Sequence, residues 1–136
     1  MMDPEGLQTL SSEECLRLLQ QAGVGRICVP AAGAPEIRPV NFVLHERAIV
    51  VRTSEGTLLE SARRGVDAAF EIDGIDRLEH TGWSVIASGP LRELPSDERT
   101  RALPLRAWAS GDKDRFIALA IKDLSGRSVP SGRGRR

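Results

Sequence analysis

Few residues of this chain belong to the types that bind metals. The 136 residues include two cysteines, Cys15 and Cys28, and two histidines, His45 and His80. The cysteines lack C-x-x-C spacing and the histidines add no matching pattern, so the ligand set of a metal site is missing. We therefore predict no metal centre.

Long apolar runs and an excess of positive charge are also missing. No apolar stretch approaches the ~20 residues that a membrane helix needs, and residues 1–5 do not begin a secretory signal. We expect a cytoplasmic protein without membrane contact. With 19 basic and 19 acidic residues the formal net charge is zero, so no general basic surface attracts nucleic acid.

The composition is that of an ordinary globular domain, with 40% hydrophobic and 28% charged residues. We predict one domain over residues 1–127. The basic cluster in residues 131–136 lies in an expected flexible, solvated tail over 128–136.

Three helices are predicted. Ser11 and Glu14 have the spacing of a capping box, and apolar residues recur at helical spacing until Gly23, which is expected to end the first helix in the left-handed conformation. A second helix is predicted over 57–64, ended by Gly65, and a short polar third over 96–103.

Six strands are predicted, over 24–29, 37–44, 48–53, 66–72, 83–94 and 116–121, after which the chain is expected to fray. The first three are expected to form an antiparallel meander. Pro39 indicates an edge or a bulge, Asp73-Gly74 a turn, and Gly89-Pro90 a bend in the long strand. Short connections favour antiparallel pairing. The fold class is therefore mainly β with short helices, a closed or split β-barrel.

The segment over residues 52–57 is a candidate phosphate site. Arg52 offers a fork of donors that suits phosphate, while Thr53, Ser54 and Thr57 add hydroxyls and the predicted helix start adds backbone N–H groups. The alternative is a strand–turn–helix junction with an exposed arginine and a capping hydroxyl.

Two further segments are candidates for holding a planar ligand. Trp83 can stack on a ring with Ser84 as a polar neighbour, or can be a core or interface tryptophan. In Arg38-Pro39-Val40-Asn41, the proline interrupts the ladder and frees backbone groups to meet a ligand's edge. The alternative for that segment is a plain edge strand with a bulge.

A possible acid–base pair, Glu71 and Asp73, alternates on one strand face. Because no nearby histidine completes a catalytic set, we expect these carboxylates to be solvated or ion-paired. No catalytic residue is assigned.

The order of the motifs carries more information than any one of them. They are Leu10-Ser11-Ser12-Glu13-Glu14-Cys15, Gly25-Arg26, Pro39-Val40-Asn41-Phe42, Val51-Arg52-Thr53, Gly56-Thr57, Ala69-Phe70-Glu71-Ile72-Asp73, Gly82-Trp83-Ser84-Val85, Gly89 and Leu124-Ser125-Gly126-Arg127. In this order, over about residues 7–127, the chain resembles the pyridoxamine 5'-phosphate oxidase-like family in its small, single-domain actinobacterial form.

The resemblance implies a split β-barrel homodimer with two flavin sites in its interface. By this resemblance, residues 38–42 run along the isoalloxazine edge, Arg52 and Thr53 hold the phosphate and ribityl chain, and Trp83 and Ser84 come from the partner subunit. The implied cofactor is FMN. Relatives with this fold also bind FAD, a deazaflavin or haem, so the fold alone does not choose.

The chain departs from the family pattern at Leu58, where a lysine commonly follows the Gly-Thr pair and contacts the phosphate. A charge-assisted contact is worth about 1.5–3 kcal/mol, so its loss is expected to weaken flavin binding by about one to two decades. Arg63 or Arg64 are possible substitutes.

The function implied is an FMN-dependent oxidoreductase that moves a hydride to a small acceptor. The alternatives are a deazaflavin-dependent reductase and a non-catalytic flavin- or haem-binding protein. Vitamin B6 oxidation is not predicted, because no segment matches the residues that grip pyridoxamine phosphate in the true oxidase.

Overall fold

The computed structural model describes residues 2, 4, 6–105 and 114–130. Within them lie nine strands and three helices. The strands are β1 (Gln8–Thr9), β2 (Val24–Val29), β3 (Glu36–Asn41), β4 (Val43–His45), β5 (Ala48–Thr53), β6 (Asp67–Asp76), β7 (Thr81–Leu94), β8 (Arg115–Ala120) and β9 (Asp123–Val129). The helices are α1 (Ser12–Gln21), α2 (Thr57–Arg63) and α3 (Glu98–Arg101).

Helix α1 begins with the predicted capping box. The Glu14 N–H donates to the Ser11 hydroxyl at 3.1 Å, and the Ser11 N–H donates to the Glu14 carboxylate at 3.1 Å. The end of α1 differs from the prediction, since Ala22 is extended (φ −81°, ψ 150°) and Gly23 does not adopt a left-handed φ. Gly65, at φ 67°, does end α2 as predicted.

The strands form one curled antiparallel sheet in the order β3-β2-β6-β7-β8-β5-β4, with β9 pairing β7 and β1. Strand β7 joins two parts of this sheet. One part contains β3, β2, β6, β9 and β1, and the other contains β8, β5 and β4. Up to Pro90 it pairs with β6, and from Leu91 it pairs with β8. The change of partner coincides with the predicted bend, where the backbone of Ala120 approaches so closely that a β-carbon at Gly89 would lie 1.8 Å from its carbonyl oxygen.

The antiparallel pairings of the predicted meander are present, since β2 pairs with β3 and β4 pairs with β5, but its middle strand is divided between two parts of the sheet. Strand β2 pairs with β3 but its other neighbour is β6, and β5 lies between β8 and β4. The predicted strand over 37–44 divides at Phe42, whose N–H donates to the Gly23 carbonyl at 3.1 Å and whose ring is 3% exposed. Burying this ring turns the chain out of one part of the sheet and into the other.

Two other boundaries need correction. Strand β6 continues through Asp73-Gly74 to Asp76, where the Asp76 carboxylate accepts from the N–H groups of Leu78 and Glu79 at 3.0 and 3.1 Å. The chain also does not fray after residue 121. Strand β9 continues to Val129, beyond the expected start of the tail, and residues 131–136 lie outside the described ranges.

The main core fills the curled sheet and is closed by α1 and α2. Its largest fully buried side chains are Phe70, Leu19, Ile27, Ile49, Leu59, Ile72, Leu91, Ile117 and Leu119. A smaller core around Phe116 lies on the other face of β5 and β8, against Leu103 and Leu105. No helix in the described part of the chain has the length and apolar character to cross a membrane.

Candidate functional site

Strand β5 presents Arg52 and Thr53 to opposite sides. The Arg52 guanidinium carbon lies 5.4 Å from the centroid of the Phe116 ring, its register partner in β8. Thr53 is 6% exposed, and its hydroxyl donates to the Ser54 carbonyl at 3.3 Å. Arg52 is therefore held in a defined position by an aromatic face, whereas the Thr53 side chain is turned towards the protein.

The junction between β5 and α2 turns at Gly56, which has φ 149° and precedes the first helical residue. Residues with a β-carbon rarely adopt such a φ, and apart from its two chain neighbours no described residue has a heavy atom within 4 Å of the place where a β-carbon would stand. No side chain caps the start of α2. The backbone there is thus open to an approaching ligand.

Leu58, in the first turn of α2, is 3% exposed and packs into the main core. Its side chain therefore faces away from the surface on which a phosphate is expected, and only its backbone remains near the junction. Leu58 stabilises the attachment of α2 to the barrel.

Strand β3 is an edge strand, as Pro39 predicted. Arg38 and Val40 share one face of β3, while Pro39 and Asn41 share the other. Only Val40 of these four packs against the main core. The predicted group is therefore divided between two surfaces.

An acidic residue that was not predicted connects β3 to α2. The Arg38 Nε donates to the Glu36 carboxylate at 2.9 Å, and the Arg38 Nη2 donates to the same oxygen. The Thr57 hydroxyl lies close enough to this carboxylate to contribute to lowering its pKa. The hydrogen bond from Arg38 is the largest of the effects that lower the pKa of Glu36 below its ordinary value. Since β3 also lies against β5, Arg38, Thr57 and the end of β5 form one region, which we call the β3–α2 seat.

Trp83 and Ser84 lie in a second region, a groove of about 330 Å³ beside β6 and β9. The indole covers Gly74, its register partner, so closely that a β-carbon there would lie 2.6 Å from the Trp83 Nε1. The groove is lined by Leu7, Glu71, Asp73, Ile75, Gly82, Trp83, Ser84, Arg127, Ser128 and Val129. Trp83 is half-buried, packs against the main core and borders the groove, whereas Ser84 lies on the opposite face of β7 with Glu71, Asp73 and Ile75.

Arg52 and Trp83 lie in different parts of the sheet, whereas Arg38 lies in the same part as Trp83, separated from it by β2 and β6. Arg52 pairs with Phe116, which in turn pairs with Leu94 near the end of β7. Trp83 lies eleven residues earlier in β7, about 36 Å along an extended strand, and pairs with β6 and β9 instead. One chain therefore does not bring the predicted phosphate and ring residues around one small ligand.

Glu71 and Asp73 are ion-paired, as expected. The Arg26 Nη1 donates to the Glu71 carboxylate at 3.0 Å and to the Asp73 carboxylate at 3.1 Å. Burial raises the pKa of Glu71, and the hydrogen-bonded Asp73 raises it further, while Arg26 acts in the opposite direction. The two carboxyl groups are thus held together by one guanidinium beside Trp83 and Ser84.

Other polar groups near these regions are committed to local structure. Arg63, a possible substitute for the missing lysine, donates to Glu93 at 3.0 Å and to Glu55 at 3.3 Å. A separate cavity of about 380 Å³ lies between α3 and the outer face of β5 and β8. Its Asp97 and Thr100 cap α3 reciprocally at 3.1 Å. Among the described residues, no three His, Cys, Asp or Glu side chains are grouped as metal ligands.

Sequence reasoning missed three contributors, namely Glu36, Phe116 and Gly74. The opposite charges of Glu36 and Arg38 at strand positions i and i+2 are a signal that could have found this pair, because such residues share a face. Phe116 and Gly74 act through cross-strand register, which no local pattern contains.

Comparison with known proteins agrees with this architecture. Residues 11–128 match the family model described as pyridoxamine 5'-phosphate oxidase. Over 124 residues the chain is 30% identical to the uncharacterised protein Rv0080 of Mycobacterium tuberculosis, covering 86% of this chain and 82% of that protein.

Two solved structures are similar over nearly the whole chain. The FAD-binding protein from Mycobacterium smegmatis is 31% identical with a TM-score of 0.69, over 91% of this chain and 99% of that one. A FAD-binding protein from Mesorhizobium loti has a TM-score of 0.76 over 91% and 99% of the two chains, and its 22% identity bears on the fold alone. The predicted fold class, a largely antiparallel split β-barrel, is confirmed.

Proposed function

This chain belongs to the pyridoxamine 5'-phosphate oxidase family, and on that premise we propose that it is a flavin-dependent oxidoreductase that binds FMN between the two subunits of a homodimer. In this proposal the flavin passes a hydride to a small-molecule acceptor. The protein's own residues bind and orient the ring, since the cofactor carries the chemistry.

The separation of the two candidate regions is the observation that carries this proposal. Among the described residues, the β3–α2 seat has cationic and hydroxyl groups but no exposed aromatic side chain, whereas Trp83 borders a groove that β2 and β6 separate from Arg38. Each region is half of a flavin site. Two copies related by a two-fold axis supply both halves twice.

An exposed apolar face supports the homodimer. Ile37 (66% exposed), Ile75 (74%) and Ile86 (47%) lie on the outer face of neighbouring strands, and the register places Ser84 on that same face. Exposed apolar side chains clustered on one sheet face are typical of an interaction surface. An interface here brings the groove of one subunit against its partner.

In the assembled site, Arg52 and Arg38 would hold the phosphate. Arg52 is already oriented by Phe116, and the open backbone at Gly56 admits a phosphate near it. The edge strand β3 would offer backbone groups around Pro39 to the ring edge, and Trp83 of the second subunit would cover the ring.

FAD is the second candidate cofactor. It is favoured by the 31% identical M. smegmatis relative, which is itself a FAD-binding protein. A deazaflavin is less well supported, because its more anionic tail calls for further basic residues and Arg63 is already bound to two carboxylates.

The first experiment is the visible absorption spectrum of the purified protein, followed by titration with FMN and with FAD. A flavin spectrum, or saturable binding of either flavin, supports the proposal. A colourless protein that binds neither flavin overturns it. The molar mass in solution, with and without flavin, tests the dimer in the same samples.

A mixed-subunit experiment tests the shared site directly. Arg52→Ala and Trp83→Ala each remove one half, so each variant alone is expected to bind FMN poorly. When the two are refolded together, mixed dimers contain one intact site and one doubly impaired site. Recovery of about one site per mixed dimer is therefore expected. No recovery in isolated mixed dimers would mean that both residues act within one subunit.

A further inference from the structure

The Glu36 carboxylate lies where an anionic ligand of the β3–α2 seat is expected. It accepts hydrogen bonds from the Arg38 guanidinium, including one of 2.9 Å from Nε, and the Thr57 hydroxyl lies close enough to interact with it. A guanidinium fork and a hydroxyl are also the donors that a phosphate group uses. The Glu36 carboxylate thus occupies the Arg38 donors that a bound phosphate would otherwise use.

The contact is accessible to an incoming ligand. The Glu36 side chain is 30% exposed and the Arg38 side chain 43% exposed, and Glu36 is the first residue of an edge strand. Because long exposed side chains exchange partners at small cost, Arg38 can leave Glu36 for a phosphate without disturbing the barrel.

The charge of Glu36 persists at neutral pH. Its pKa is lowered by the hydrogen bond from Arg38, so the carboxylate is ionised at physiological pH. A phosphate monoester carries close to two negative charges there. An approaching monoester therefore meets a like charge and must also displace that charge from Arg38 and Thr57.

We propose that Glu36 is a specificity-determining residue, which occupies Arg38 and Thr57 in the free protein and thereby lowers the affinity for flavins that end in a phosphate monoester. The inference rests on the proposed flavin-binding function. The consequence is that FMN gains less affinity over riboflavin, the same ring system without the phosphate, than it would gain without the Glu36 charge.

The test compares FMN with riboflavin in wild type, Glu36→Gln and Glu46→Gln. Glutamine keeps the shape of Glu36 and removes its charge. Glu46 is an exposed glutamate at the opposite end of β5 and is the matched control. Dissociation constants come from quenching of flavin fluorescence at fixed ionic strength. In Glu36→Gln the FMN dissociation constant is expected to fall roughly three- to tenfold, with riboflavin and the control variant unchanged.

A double variant locates the effect. If Glu36 acts by occupying Arg38, Glu36→Gln raises FMN affinity in wild type but not in an Arg38→Gln background. An equal gain in both backgrounds overturns this route, as does an equal gain for FMN and riboflavin.

The outcomes also separate this inference from the proposed function. If wild type and Glu36→Gln bind FMN with equal affinity, the role of Glu36 is overturned and the flavin site stands. If neither protein binds any flavin, both proposals are overturned.

Discussion

Replacing Arg52 with alanine separates ligand binding from folding. The side chain contacts the Phe116 ring from above at 5.4 Å, a cation–π contact worth about 0.5–1 kcal/mol at an accessible site. The backbone ladder between β5 and β8, from Ala48 to Thr53, does not depend on it. Loss of this contact is therefore expected to lower Tm by about 2–5 °C.

The expected effect of Arg52→Ala on binding is much larger. In the proposed site Arg52 makes a charge-assisted contact to the phosphate, worth about 1.5–3 kcal/mol. The FMN dissociation constant should therefore rise roughly 10- to 150-fold. Arg52→Lys should recover only part of this loss, because an ammonium lacks the planar fork that stacks on Phe116 and meets a phosphate.

The assay pairs thermal unfolding without flavin with fluorescence titration by FMN. Arg17→Ala, an exposed arginine on α1, makes the same change of net charge away from the β3–α2 seat and is the control. Unchanged FMN affinity in Arg52→Ala would refute the phosphate site. A large loss of Tm without flavin would instead show that Arg52 serves mainly the smaller core.

Two other changes have definite expected outcomes. Glu71 has a raised pKa in the folded protein, so the folded state binds the proton more tightly than the unfolded state does. The free energy of unfolding should therefore fall as the pH rises from about 4.5, the ordinary pKa, through the folded pKa. Glu71→Gln should remove this fall and stabilise the protein at pH 7, as measured by urea unfolding at several pH values with Glu46→Gln as control. A fall of the same size in Glu71→Gln would assign it to another group. Leu58→Lys should lower stability by about 2–4 kcal/mol, because a packed leucine is lost and a cation is brought to the core edge. An unchanged Tm with tighter FMN binding would show instead that the lysine side chain reaches the surface.

Local patterns predicted most of the elements because each obeyed a short-range rule. The capping box placed the start of α1, and alternating or continuous apolar runs placed β2 and β5 at the bounds they have. Asp73-Gly74 was misread because turn residues also occur inside strands. Here Gly74 leaves room for the indole of Trp83 on the neighbouring strand, and Asp73 accepts a hydrogen bond from Arg26.

Strand order was harder to predict because it depends on contacts distant in sequence. Nothing local distinguishes a meander of β2, β3 and β5 from the observed arrangement, in which Phe42 sends the chain into the other part of the sheet. The same applies to β9, whose polar sequence has little strand character. Pairing with β7 on one side and β1 on the other stabilises it.

The candidate site shows a similar division. Arg38, Arg52, Thr57 and Trp83 were identified by residue type and position relative to predicted elements. Which of them meet depends on the curl of the sheet, and the structure brings Arg38 and Thr57 together while β2 and β6 separate Arg38 from Trp83. In the proposed homodimer the two regions would be brought together by the second subunit, which the pattern of one chain does not contain.

Position 58 shows why residue type alone misleads. Judged by residue type, a leucine at position 58 in place of a lysine leaves the phosphate site with one positive charge fewer. The expected weakening of flavin binding followed from that missing charge. In the structure its side chain is buried in the main core, so the charge available to a ligand is decided elsewhere. Arg38 offers a positive charge from β3, and Glu36 offsets it. In the proposed site we therefore expect the Glu36–Arg38 pair to govern phosphate affinity more than Leu58 does, so Glu36→Gln is expected to strengthen FMN binding where Leu58→Lys is not.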